Sequence, residues 1–180
     1  MPGHRCLPHP FSKASPLTKT LDLGCGPNPN NPYQADEVYG VDIREGIGPN
    51  IAAADLAIAP IPFEDGMFDY VTAFQFIEHV PRVIYVPERR NPFVLLMNEI
   101  HRVLRVGGVF LSVTPAYPHN AAFQDPTHVN IITEDTFPCY FDDQRRWAKI
   151  YGYTGYLRIL RQEWMGANLV TQMQKVPPPA

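Results

Sequence analysis

The sequence predicts an open α/β sheet, mostly parallel, and three observations carry that prediction. Short apolar runs end on Gly or Asp at Leu23–Gly24, Val41–Asp42 and Ala54–Asp55. An amphipathic stretch, Pro92–Leu104, separates two further apolar runs. Two alternating stretches, Tyr156–Gln162 and Leu169–Lys175, can pair as an antiparallel hairpin near the C-terminus. Parallel strands require crossovers and antiparallel ones only a tight turn, so this order describes parallel strands with intervening helices and a terminal antiparallel pair.

Each element has its own signal. Leu17–Leu23 alternates and then turns apolar before Gly24, which makes Lys19–Leu23 the first strand, short and buried. Glu37–Val41 is the second, ended by Asp42, and Ile51–Ala54 the third, ended by Asp55. Phe68–Phe76, rich in aromatic and β-branched residues, holds the fourth. In Pro92–Leu104, the positions of Phe93, Leu96, Met97, Ile100, Val103 and Leu104 follow helical spacing. Asn91 is placed to cap that helix, Pro92 suits its first turn and Gly107–Gly108 should end it. Val109–Val113 is the fifth strand, and Thr133 before Glu134 and Asp135 marks another helix start. Between Gly26 and Val38 lie only eleven residues, three of them Pro. A crossover needs a dozen or more residues with its helix. The sequence therefore predicts at most a turn or two within Asn30–Glu37, after a stiff loop over Pro27–Pro32.

Composition bounds the rest. With 180 residues, 45% hydrophobic and 18% charged, the chain has ordinary globular composition. We expect a loosely ordered arm over 1–16, a single domain over 17–176 and a tail over 177–180, since prolines crowd both ends. The net charge of −3 argues against non-specific nucleic-acid binding, which wants a basic face. No apolar run approaches the ~20 residues that span a bilayer, and no apolar signal core opens the chain. Cys6, Cys25 and Cys139 are widely spaced and odd in number, which suits a reducing compartment, and the expected localisation is cytoplasmic.

In open α/β sheets ligands bind beyond the carboxyl ends of the strands. Asp22, Gly24, Gly26, Asp42, Asp55 and Phe74–His79 collect there. Asp42 lies 20 residues past Asp22, the spacing at which an acid accepts hydrogen bonds from ribose hydroxyls. A dinucleotide fingerprint would add a third glycine and a helix N-terminus for the pyrophosphate. Here Gly26 is followed by Pro27-Asn28-Pro29, and no Lys or Arg lies between Lys19 and Arg44. A ribose-bearing ligand with a cationic or zwitterionic tail fits better, and S-adenosyl-L-methionine answers that description. A nicotinamide-dependent oxidoreductase and a non-catalytic binding module stay open as alternatives.

The segments LDLGCGPNP, VYGVDI, AADL, IPFEDGMFDYVTAFQFIEHV and EIHRVLRVGGVFLSVTP resemble the ordered motifs of class I S-adenosylmethionine-dependent methyltransferases, from Leu21 to Pro115. The nearest subgroup is the methyltransferase-domain proteins with a short first crossover. The later stretch PHNAAFQDPTHVNIITEDTFPCYF resembles a segment that follows strand five in related proteins. The resemblance implies an open Rossmann-like seven-stranded sheet, mostly parallel with an antiparallel C-terminal strand and a shortened first crossover helix. It implies that Asp22, Gly24, Cys25 and Gly26 form the loop at the methionine portion. Asp42, followed by Ile43, would hold the ribose hydroxyls. Asp55 and Leu56 would flank the adenine, and Phe74 and Gln75 would meet the methionine end. The third small residue of the glycine loop and the N-terminal capping helices of many relatives are missing.

The expected substrate is a small-molecule acceptor methylated on O or N, with no nucleic acid, no membrane and a possible homodimer or partner protein. The N/D-P-P-Y/F tetrapeptide of enzymes that methylate nucleic-acid amino groups is absent, since AFQF stands in its place. Methyl transfer is an in-line displacement, so orientation matters most and a base matters when the nucleophile arrives protonated. Residues 115–145 follow strand five and can fold over the site mouth. His128 is therefore the first candidate base, with His119 and His79 behind it. Tyr117, Phe123 and Phe141 could line a substrate pocket. No metal is expected: His119, Asp125 and His128 are irregularly spaced, and an Asp–Pro–Thr–His turn is the simpler reading. Glu78 and His79 read as a helix-start pair packed against the sheet.

Overall fold

The computed structural model describes residues 16–179, so the arm expected over 1–16, with Cys6, lies almost wholly outside the described residues. Seven strands form one sheet: β1 (Lys19–Leu23), β2 (Glu37–Asp42), β3 (Ile51–Ala53), β4 (Phe68–Phe74), β5 (Leu104–Pro115), β6 (Leu157–Met165) and β7 (Asn168–Lys175). Their order is β3-β2-β1-β4-β5-β7-β6. The first five run parallel, while β7 is antiparallel to both β5 and β6. This is the sheet the sequence implies.

Alternation along the strands sorts the two faces. Leu21, Leu23, Val71, Ala73 and Phe110 share a buried cluster with Leu96, Met97 and Ile100 of α1 (Pro92–Val103). On the other parity Asp22 lies between Gly40 of β2 and Thr72 of β4. The sequence thus builds one face for the helix and sets polar groups on the other, at the strand ends where a ligand binds.

The helices depart from expectation. Among the described residues only α1 and the five-residue α2 (Thr136–Tyr140) are α-helical. None of the connections β1–β2, β2–β3 and β3–β4 carries a helix, although intervening helices were expected. Pro27, Pro29 and Pro32 break the first, Gly46, Gly48 and Pro49 the second, Pro60, Pro62 and Gly66 the third. The first loop packs without one. Asn31 Oδ1 accepts from the Ala35 N–H at 2.8 Å, closing a turn. The Tyr33 ring stacks on Tyr70 at 4.2 Å between centroids, and its hydroxyl accepts from Gln172 Nε2 at 2.8 Å. A stacked aromatic takes the place of a helix.

Two details of α1 also differ. The Asn91 side chain makes no cap bond, and its carbonyl accepts from Leu95 instead. Gly107–Gly108 does not end the helix, because Leu104 is fully buried, pairs with Phe68 and starts β5 directly. Beyond β5, Tyr117 N–H donates to the Ile132 carbonyl at 2.9 Å. That bond folds residues 116–132 back over the carboxyl end of the sheet. No described helix is long and apolar enough to cross a membrane.

Candidate active site

A cavity of about 310 Å³ opens at the carboxyl ends of β1, β2 and β4. At one end it is lined by Asp42, Ile43, Asp55 and Leu56, in the middle by Gly24 and Phe76, and at the other by Gln75 and His79. A larger hollow of about 670 Å³, beside Glu99 and Arg102, lies at the entry to β5, away from these strand ends.

The turn after β1 is fastened from below. Gly24 and Gly26 have φ of +66° and +59°, a region open to glycine and strained for other residues. Their chain direction lets Gly24 and Cys25 N–H both donate to the Val41 carbonyl, at 2.8 and 3.2 Å. Gly26 N–H donates to Asp42 Oδ2 at 2.9 Å. A Cβ on Gly24 would stand 2.4 Å from Phe76 Cδ2, so this glycine is also required for close packing. Cys25 points down instead, and a Cβ on Gly40 would meet its sulfur at 2.4 Å. Burial pushes the Cys25 thiol up to about 11, helped by the Asp22 and Asp42 charges.

Asp22 is 1% exposed and accepts from Thr72 Oγ1 at 2.6 Å, Asn30 N–H at 2.8 Å and Asn30 Nδ2 at 2.9 Å. Burial raises its pKa, partly offset by these bonds. It ties the proline loop to β1 and β4 and does not line the cavity. Cys25, Gly26 and Phe74 likewise lie outside the lining, whereas Gly24, Asp42, Ile43, Asp55, Leu56 and Gln75 belong to it.

Asp42 is fully engaged. Besides Gly26 N–H, it accepts from Arg44 N–H at 3.1 Å, Arg44 Nε at 2.8 Å and Arg44 Nη2 at 3.2 Å. A carboxylate offers about four lone-pair sites, so this one has none to spare. The Arg44 hydrogen bond holds its pKa down at about 2. Asp55 caps its own loop by accepting from Ala57 N–H at 3.0 Å.

The other end is built by the segment after β5. Glu78 is 1% exposed, and its carbonyl accepts from the N–H groups of Val129 and Asn130, both at 2.9 Å. These bonds set His128 beside His79, ring centroids 4.9 Å apart. His128 Nδ1 lies 3.1 Å from the Ala121 carbonyl, and His79 Nδ1 lies 3.0 Å from Thr127 Oγ1. Thr127 gives its proton to Asp125 Oδ1 at 2.6 Å, in the turn expected at Asp125–His128. His119 packs against Trp164 at 5.1 Å, apart from this pair.

The family model described as a methyltransferase domain matches residues 21–112. The chain belongs to the methyltransferase domain family. No curated protein matches. Among solved structures, a Pyrococcus horikoshii protein aligns with this methyltransferase domain at 20% identity and a TM-score of 0.59, covering 87% of this chain and 81% of the other. An S-adenosylmethionine-dependent methyltransferase from Aquifex aeolicus aligns at 14% identity and 0.59, over 89% and 82%. A Haloferax volcanii complex of a methyltransferase with the Trm112 activator aligns at 13% and 0.58, over 90% and 85%. At such identities these likenesses speak for the fold.

The cofactor of this family fits the residues present, with one rearrangement. Asp42 and Asp55 stand at one end of the lining and Gly24 in its middle. Asp42 is satisfied by Arg44, whose side chain is 58% exposed and free to swing into solvent. Sequence reasoning missed Arg44, and placed Phe76 at the strand ends without giving it a part of its own. The positive φ required at Gly24 carried a faint signal for close packing, and nothing in the spacing marked Arg44.

Proposed function

We propose that this methyltransferase domain is an active enzyme that moves a methyl group from S-adenosyl-L-methionine to an O or N atom of a small-molecule acceptor. The observation that carries the reading is a single cavity running from Asp42 and Asp55 past Gly24 to His79. When bound, the cofactor supplies a methyl group activated on a sulfonium. Asp42 would accept the ribose hydroxyls once Arg44 withdraws, and Asp55 with the Leu56 N–H would meet the adenine. Gly24 keeps the turn close to the ligand, and Gln75, held at a φ of +49°, stands at the methionine end.

At the acceptor end His79 takes precedence over His128 and His119, because it lines the cavity. The Thr127 hydroxyl donates to Asp125 and so accepts from His79, which leaves the proton on Nδ1 and the lone pair on Nε2. That nitrogen can take the acceptor's proton. With the cofactor bound, His79 would hold the acceptor's proton on Nε2 and then release it to solvent, so no group on the chain changes permanently.

A partner protein belongs to the same proposal, as the Haloferax volcanii methyltransferase is found with the Trm112 activator. The cytoplasmic assignment rests on the cysteine pattern. Incubating the chain with S-adenosylmethionine and a panel of hydroxyl and amine acceptors tests the function. Formation of S-adenosylhomocysteine that depends on acceptor and falls at least ~100-fold in His79→Ala supports it. Cofactor binding without turnover on any acceptor, with or without a captured partner, would favour a binding module.

A further inference from the structure

The histidines at the acceptor end do more than offer a base. Glu78, His79 and His128 each present one ligand atom, and these atoms lie within 4.8 Å of one another. Glu78 Oε2 accepts from Thr114 Oγ1 at 2.7 Å, while Oε1 has no hydrogen-bond partner among the described residues. Leaving a buried carboxylate oxygen unpaired costs about 1–3 kcal/mol or more, so a group with this geometry calls for a partner.

The imidazoles are set up to receive the same partner. A carbonyl only accepts, so the contact of His128 Nδ1 with Ala121 O puts the proton on Nδ1 and the lone pair on Nε2. His79 reaches the same state through Thr127, itself oriented by Asp125. Histidine ligands of metals are commonly fixed this way, with the far ring nitrogen donating to a carbonyl or a carboxylate-backed group. Two neutral imidazole nitrogens and one carboxylate oxygen suit zinc, cobalt or ferrous iron, and an all-oxygen cation such as magnesium far less.

We propose that Glu78 Oε1, His79 Nε2 and His128 Nε2 form a site for a divalent transition metal ion bordering the cofactor cavity. Donors around one such ion sit roughly 3.3 Å apart, so small rotations of His79 and His128, both on the surface side, close the set around it. Bound there, the ion satisfies the orphaned Glu78 oxygen and leaves coordination positions for water or an acceptor. An ion on His79 Nε2 takes the lone pair a base would use, so the metal-loaded site and the His79 base exclude each other, and metal binding by these three donors stands whether or not the chain transfers a methyl group.

The test is titration of the chelator-treated full chain with Co2+, read by visible absorption, and with Zn2+, read by calorimetry. His4, Cys6 and His9 near the N-terminus could also bind metal, so the titration is repeated in the His4→Ala, Cys6→Ser, His9→Ala chain. One ion per chain is expected in both, with affinity falling about 100-fold in His79→Ala and in His128→Ala. Thr127→Val, which touches no metal, should weaken binding about 10-fold by releasing His79. His119→Ala should bind like the wild type. The two imidazole variants change partly exposed side chains, so circular dichroism should report an unchanged fold. No binding at about 1 mM metal, or binding undiminished in the His79→Ala, His128→Ala double variant, overturns the proposal.

Discussion

Two carboxylates flank the cavity, Asp42 in its lining and Glu78 buried next to the lining residue His79, and the chain treats them in opposite ways. Asp42 accepts four hydrogen bonds, three of them from Arg44. Glu78 is 1% exposed, yet one of its oxygens accepts nothing among the described residues. The Asp42 end supplies its own counterion, and a ligand there must compete with Arg44. The Glu78 end leaves one carboxylate oxygen open. Charge bookkeeping therefore distinguishes a site that is self-satisfied from one that waits.

Breaking the first acid should have the largest effect. In the proposed binding mode Asp42→Asn removes two charge-assisted contacts to the ribose diol, and S-adenosylhomocysteine affinity should fall at least ~100-fold by calorimetry, about 3 kcal/mol. The joint between the two ends comes next. Gly24→Ala places a Cβ against Phe76 at an unfavourable φ and should cost about 2–3 kcal/mol by thermal unfolding. Adding Phe76→Ala should return the steric part of that loss and leave the backbone part.

Smaller effects sharpen the contrast. Arg44→Gln frees two positions on Asp42 and should tighten cofactor binding about 3–10-fold, with stability shifted by less than about 1 kcal/mol because Arg44 is exposed. Weaker binding in this variant would instead make Arg44 a ligand contact. The two acids should also split in pH. Asp42 is held down at about 2, so its contribution to stability is present above its ordinary value of 3.8 and disappears as pH falls towards 2. Arg44→Gln should flatten that acid limb. Glu78 is raised by burial, so its contribution is present below 4.5 and is lost as pH climbs through its folded value. In metal-free protein Glu78→Gln should raise the melting temperature at neutral pH and change nothing below about pH 4.

The strands and where they end were legible because each apolar run stops on a residue that breaks it: Gly24, Asp42, Asp55. The shortening of the crossover after β1 was legible too, since three prolines leave room for a turn or two at most, and the structure goes further and has no helix there. Loss of the next two crossover helices was not, because single Gly and Pro residues there are compatible with ordinary loops. Arg44 escaped because its bond to Asp42 depends on the chain doubling back within two residues. The Glu78–His79–His128 group escaped for a different reason. His128 is 49 residues beyond His79, and the bonds from Val129 and Asn130 to the Glu78 carbonyl are what bring them together.

Calorimetric titration of the chain with S-adenosylhomocysteine, beside NADH, tests the central claim most directly. The geometry predicts saturable 1:1 binding of the former, weakened at least ~100-fold in Asp42→Asn and strengthened in Arg44→Gln, and no binding of the latter. Absence of S-adenosylhomocysteine binding at about 1 mM, or a preference for NADH, would contradict it.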